Sequence, residues 1–212
     1  QVRTDFMSVQ NTFGMRILNV AVLIPNADGT TYRRGSYNPT TTIYPASCVK
    51  LAYLAAAMHW CQTNGHPYDY ISTYVNPMIT VSDNYATGYV VDTITNAPNI
   101  SVTNSCSDAT YIAWHNKRLY TENYLSTHGL LENQIMENKT YPTNSGASPV
   151  NAEYTVIYTC RGGNQMQPKC SASLMLEIIK GAIEPGANAY MRGLLTHDKW
   201  GENSELGFGL PP

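Results

Sequence analysis

The chain predicts an α+β fold: an antiparallel sheet from both chain ends packed with helices, plus an inserted, mostly helical lobe. Three observations carry this. The run Met15–Ile24 is rich in β-branched residues and reads as a strand. Tyr44–Met58 reads as a helix that is apolar on every side. Leu195–Gly201 and Glu205–Leu210 read as closing strands. Strands at both ends with helices between them place the chemistry where the two regions meet.

Residues 1 to 15 are mixed and have room for a short helix. After the first strand, Pro25-Asn26-Ala27-Asp28-Gly29 is a turn. Thr30–Gly35 is then the second strand of a hairpin. A polar loop, Ser36–Thr42, leads to the apolar helix, with Pro45 suited to a helix start and Ala, Leu and Met favouring its interior. Thr63-Asn64-Gly65-His66-Pro67 breaks the chain. Tyr85–Thr95 fits another helix, capped by Ser82, Asp83 or Asn84. Asn96–Asp108 is a loop. Ala109–Leu119 and Glu122–His128 look helical and end at Gly129. Residues 130–149 are polar and turn-rich. Val150–Tyr158 is helical or mixed. Ser171–Lys180 carries Leu174, Met175, Ile178 and Ile179 at amphipathic spacing. Gly186–Leu194 is a last short helix.

At 212 residues the chain suits one domain, in two lobes. Charged residues are 13%, well below the usual quarter, and 16 tyrosines with many Asn and Thr supply polar surface instead. A net charge of −2 gives no electrostatic footprint for nucleic acid. No apolar run approaches a membrane span. His59, His66, His115, His128 and His197 are scattered without zinc spacing, and no Gly-rich phosphate loop occurs. The reading therefore calls for no metal and no cofactor.

Other features point to a secreted, extracellular protein. The chain begins at Gln1, as after removal of a signal. Two sequons occur, at Asn99 and Asn138. Among the five cysteines, Cys160 and Cys170 flank a polar loop that a disulfide would staple. Cys61 with Cys106 is the second expected pair. Cys48 is then the odd one, a small apolar filler in the central helix.

Two polar side chains interrupt the apolar helix in its first turn. Ser47 and Lys50 share one face, a turn apart. A lysine in apolar surroundings loses proton affinity. It can then take a proton from a neighbouring hydroxyl, which makes a serine beside it an activated nucleophile. The plainer role of such a serine is a helix cap.

Three short motifs stand in order: Ser47-Cys48-Val49-Lys50, Ser82-Asp83-Asn84 and Lys199-Trp200-Gly201. The set resembles that of the serine β-lactamase and penicillin-binding D,D-peptidase superfamily. Flanking residues extend the resemblance over roughly residues 15 to 210: Pro45-Ala46 and Leu51 around the first motif, Met78–Val81 and Ala86 around the second, Met191–Leu195 before the third. The resemblance implies one β-lactamase-like domain over residues 1–212. Residues 1–42 with 190–212 would form the sheet lobe, and 43–189 the mainly helical lobe. It implies Ser47 as the acylated nucleophile and Lys50 as its base or proton partner. Ser82 would relay a proton towards the leaving group. Asn84 would hold a substrate amide and Lys50. Lys199 would supply positive charge beside Ser82 and a substrate carboxylate. Trp200, Gly201 and Glu202 would line the substrate, and the backbone N–H groups of Ser47 and Glu202 would form the oxyanion hole.

The chain departs from that pattern in three ways. Trp200 replaces a small hydroxylated residue. Glu132 and Glu137 lie in the region of a deacylating glutamate but lack the Glu-x-x-Leu-Asn setting. The family usually adds a last strand and a closing helix, whereas Pro211-Pro212 ends this chain. The sheet would be completed by a second, C-terminal polypeptide or by a homodimer. The expected activity is thus a secreted serine hydrolase or acyltransferase on a small-molecule or peptide-like amide or ester, peptidase- or amidase-like more than an efficient β-lactamase. The alternative is a catalytically inactive scaffold of the same shape, used for binding or structure.

Overall fold

The computed structural model describes residues 17–28, 31–100, 105–139 and 159–196, with residues 4, 7–8, 11–12 and 153. It is a mixed α+β arrangement. The described helices and the two-stranded sheet follow the order hairpin, central helix, surrounding helices.

Strands β1 (Val20–Pro25) and β2 (Tyr32–Tyr37) pair antiparallel, with Val20 opposite Tyr37 and Pro25 opposite Tyr32. The turn is held by short polar side chains: Asp28 Oδ1 accepts from Thr31 N at 2.8 Å, and Asn26 Nδ2 donates to Thr31 Oγ1 at 2.8 Å. Such Asx contacts are how Asn and Asp replace backbone bonds in tight turns.

A 3₁₀ turn (Ala46–Cys48) opens helix α1 (Val49–Thr63). Ten of the helix's 15 residues are buried, so it is surrounded rather than half-exposed. Its run of alanines has no long side chains to hold neighbours away, and Leu54 and Met58 fill the space between them. Around it lie α2 (Ser72–Thr80), α3 (Asn84–Thr95), α5 (Tyr120–Thr127) and α6 (Pro168–Lys180). Helix α4 (Ala109–Arg118) bridges α3 and α5, and α7 (Asn188–Leu195) packs on α2 and α6. Helix α6 also covers β1, which joins the sheet to the helical part. Its end is set by Gly181, whose φ of 70° a side chain would resist.

The sequence pattern does not reveal α2. Ser72-Thr73-Tyr74-Val75-Asn76 and Pro77 are weak helix formers and a breaker. Burial of Val75 and Met78 against the core holds the segment helical nonetheless. The closing strands fare differently: Leu195 is the last residue of α7, and residues 197–212 lie outside the described residues. Among the described residues the sheet has β1 and β2 alone.

The expected disulfides are corrected. Cys106 pairs with Cys160 across 54 residues, while Cys61 and Cys170 are buried free thiols. The bond ties the loop before α4 to the segment that enters Arg161, beside a small core of Ala97, Ile100, Tyr111 and Trp114. Cys48 is exposed, not a core filler, because the turn that opens the central helix emerges at the surface. No helix among the described residues is long and apolar enough to cross a membrane.

Buried ion pairs tie the surrounding helices together. Arg118, fully buried, meets Asp92 and Glu153, each at 3.1 Å. Lys139 meets Asp92 at 2.5 Å. Arg161 grips both oxygens of Glu122, at 2.7 and 2.6 Å, and lies 3.3 Å from Glu137. Buried charges demand such partners, because an unpaired one in this setting is expensive.

Candidate active site

The candidate site lies at the edge of the core, where the start of α1 meets the loop between α2 and α3. Asp83 caps α3 by accepting from Ala86 N at 2.9 Å, which fixes how Ser82 and Asn84 leave the loop. Two backbones there sit in the left-handed region, Ala46 at φ 49° and Ser82 at φ 57°. Each costs on the order of 1 kcal/mol or more for a residue that is not glycine. Ala46 turns the chain into Ser47, and Ser82 turns its own hydroxyl inward.

The first two motifs meet. Ser82 Oγ donates to Ser47 Oγ at 2.9 Å. Lys50 Nζ lies 2.9 Å from Ser82 Oγ, 2.5 Å from Ser82 O and 2.8 Å from Asn84 Oδ1. Lys50 is 4% exposed, whereas Ser47 is half-buried and Ser82 is exposed. A half-buried hydroxyl is thus connected through a second, exposed hydroxyl to a buried amine.

Burial lowers the pKa of Lys50 from its ordinary 10.5 to about 8, and the nearby Asp83 carboxylate opposes the shift. The partner chemistry decides how the amine is used. A carbonyl and an amide oxygen only accept, so Ser82 O and Asn84 Oδ1 each take an N–H of Lys50. What remains faces Ser82 Oγ: a third N–H in the ammonium, a lone pair in the neutral amine. In the neutral form, with the two hydroxyls rotated so that Ser47 donates to Ser82 and Ser82 to Lys50, a proton can run along that line without any heavy atom moving. Ser47 also lies in the turn that opens a helix, where backbone N–H groups have no intrahelical acceptor.

The remaining expectations divide. Lys199, Trp200, Gly201 and Glu202 lie outside the described residues. Glu132 is exposed and pairs with Lys169 at 2.8 Å. Glu137 is fully buried, 2.8 Å from His115 Nδ1. Both carboxylates are therefore engaged away from the hydroxyl pair. Asn138 is corrected as a glycan site: it is 7% exposed, its backbone N–H donates to Asn164 Oδ1 at 3.0 Å, and its carbonyl accepts from Tyr53 at 2.6 Å. The Nδ2 that would carry a glycan donates instead to Gly162 O at 3.4 Å. Asn99 is exposed, and its Oδ1 accepts from Lys139 at 2.6 Å.

Sequence reasoning misses the exposed side chains that neighbour the first two motifs along the chain. Tyr44, Val81 and Tyr85 are large and exposed, at 53%, 72% and 41%. Their position next to the first two motifs is the available signal.

No protein-family model matches the chain. No solved structure matches it. Over 210 residues the chain is 31% identical to Golvesin of Dictyostelium discoideum, an alignment that takes in 99% of this chain. The chain spans about a third of that relative's length, at 36%.

Proposed function

We propose that the protein is a serine hydrolase or acyltransferase of β-lactamase- and transpeptidase-like fold, working through an acyl-Ser47 intermediate on an amide or ester. The observation that supports this most is the unbroken contact chain from Ser47 Oγ through Ser82 Oγ to Lys50 Nζ, with Asn84 holding the amine in place. A serine adjacent to a base, with the base oriented by a third group, is the arrangement that nucleophilic acyl transfer needs.

In the acylation step Ser47 Oγ bonds to the carbonyl carbon while its proton passes by way of Ser82 to Lys50. The carbon then loses its bond to the leaving nitrogen or oxygen, which takes a proton back from the same relay. Water ends the cycle by hydrolysis, or an amine ends it by acyl transfer. Lys50 must be neutral to begin, so acylation rises as pH climbs through about 8 and levels off above it.

The test is labelling of the whole chain with a fluorophosphonate and, separately, a labelled penicillin, followed by peptide mapping. Modification of Ser47 that disappears in Ser47→Ala is expected. Folded protein that neither reagent labels would refute acyl chemistry and leave a non-catalytic scaffold. An extracellular setting belongs to the same proposal, supported by the Cys106–Cys160 bond and the exposed Asn99. Enzymatic deglycosylation of material from a eukaryotic host should release one glycan, from Asn99.

A further inference from the structure

We propose that the first N-acetylglucosamine of a glycan on Asn99 is seated in the groove between residues 96–100 and α4, as a fixed part of the fold. The inference rests on the extracellular reading, in which Asn99 carries a glycan, and adds where that sugar lies and what it does.

The groove has a volume of about 360 Å³, and Asn99 is itself part of its lining. A space of this size takes a small ligand. One wall is the segment 96–100. The other is Thr110, Ala113, Trp114 and Lys117, which stand at i, i+3, i+4 and i+7 and so form a single stripe of α4. The two walls are bonded to each other. Helix α4 holds three successive carbonyls of the segment: Lys117 Nζ donates to Asn96 O at 3.4 Å, Arg118 Nε to Ala97 O at 2.8 Å and Trp114 Nε1 to Pro98 O at 2.7 Å. Ala97 and Ile100 are buried with Tyr111 and Trp114. Asn99, between them, is exposed, so its side chain leaves a backbone that is already fixed.

The amide of Asn99 is oriented as well. Lys139, 4% exposed, donates to its Oδ1 at 2.6 Å. The two ends of an amide point apart, so Nδ2 turns away from that buried amine. Glycosylation uses Nδ2 alone. The Nδ2–C1 bond forms, the C1–O bond to a lipid-diphosphate sugar donor breaks, and the Nδ2 proton leaves with the diphosphate. Oδ1 stays a carbonyl, so Lys139 keeps its acceptor in the modified protein. Ala113 and Trp114 offer the sugar an apolar flank. Lys117 has three N–H groups, of which one goes to Asn96 O, and another can meet the N-acetyl oxygen. A ring hung from so constrained a side chain loses little further freedom when it docks. An ordinary surface glycan, by contrast, is solvated along its whole length.

The experiment uses the whole chain from a eukaryotic host held to high-mannose glycans, with occupancy of Asn99 read by peptide mass. Three forms are melted: intact, trimmed by endoglycosidase H to a single N-acetylglucosamine, and Ser101→Ala, which removes the acceptor motif and leaves Asn99 with its Lys139 bond. The intact and trimmed forms should melt together, with Ser101→Ala about 3 °C lower. Ser101→Thr, which keeps the motif, should keep both the glycan and the melting temperature. A second measurement needs no variant. The amidase that cuts the Asn–sugar bond should act on the folded trimmed protein at least about tenfold more slowly than on the unfolded chain, because the bond must first leave the groove. If Asn99 is glycosylated but the trimmed form melts with Ser101→Ala, or the amidase cuts folded and unfolded chains alike, the seated sugar is overturned and the glycan stands. If Asn99 carries no glycan, both readings fall.

Discussion

Replacing Lys50 by methionine separates what the amine does for chemistry from what it does for folding. Methionine keeps much of the stem's volume and removes the charge. Two effects on stability oppose each other. Losing the amine strands Ser82 O and Asn84 Oδ1, at about 1 kcal/mol or somewhat more each. Removing a buried ammonium relieves the penalty recorded in its fall from 10.5 to about 8, which at about 1.4 kcal/mol per unit is about 3 kcal/mol. At pH 7 the two nearly cancel, so Lys50→Met should unfold in urea within about 1 kcal/mol of the wild type. The pH dependence is the sharper test. Between pH 8 and 10.5 the unfolded chain binds the lysine proton more tightly than the native one, so native stability rises with pH across that window. The wild type should gain about 2 kcal/mol over the variant between about pH 7 and about pH 9.5. Labelling of Ser47 should meanwhile fall by about a thousandfold or more, as when one member of a catalytic unit is lost. A stability difference that does not vary with pH would refute the claim that the amine is held dry. Undiminished labelling would refute its role as base.

Two further predictions concern the support of the site. Peptide mapping without reduction should recover a Cys106–Cys160 cross-link, and Cys106→Ser with Cys160→Ser should lower stability by up to about 4 kcal/mol for a loop of this length, read from urea melts. Arg161→Met should cost about 3–5 kcal/mol, because it leaves the Glu122 carboxylate buried without its cation and Glu137 with His115 alone. Thermal unfolding of that variant checks it, and a melting temperature equal to the wild type would show that the pair contributes nothing net.

How far the sequence can be read depends on whether a signal is local. The central helix is legible because the run that follows Lys50 is apolar on all sides and that lysine stands one turn from the serine. The hairpin is legible from β-branched residues and a turn rich in Asn and Asp, although the pattern places the second strand two residues early. Sequence narrows the cap of α3 to three residues, and Asp83 is the one that accepts from the helix backbone. Helix α2 is not legible, since what keeps Pro77 inside a helix is Val75 and Met78 in the core, a tertiary effect. Cysteine pairing misleads because spacing along the chain favours the short loop from Cys160 to Cys170, whereas folding brings Cys106 beside Cys160. Asn138 resembles a surface sequon because composition carries no information on the contacts that bury it with Tyr53 and Asn164. Of the candidate site, Ser47, Lys50, Ser82 and Asn84 follow from motif order and are in contact, while the third motif lies beyond the described residues.

Ala46 carries a consequence for engineering. Glycine would sit at its φ of 49° without strain. Selection for heat resistance alone would therefore favour Ala46→Gly, and that change would simultaneously free the peptide that aims the neighbouring hydroxyl. In this scaffold, durability and aim draw on the same backbone torsion and pull it in opposite directions.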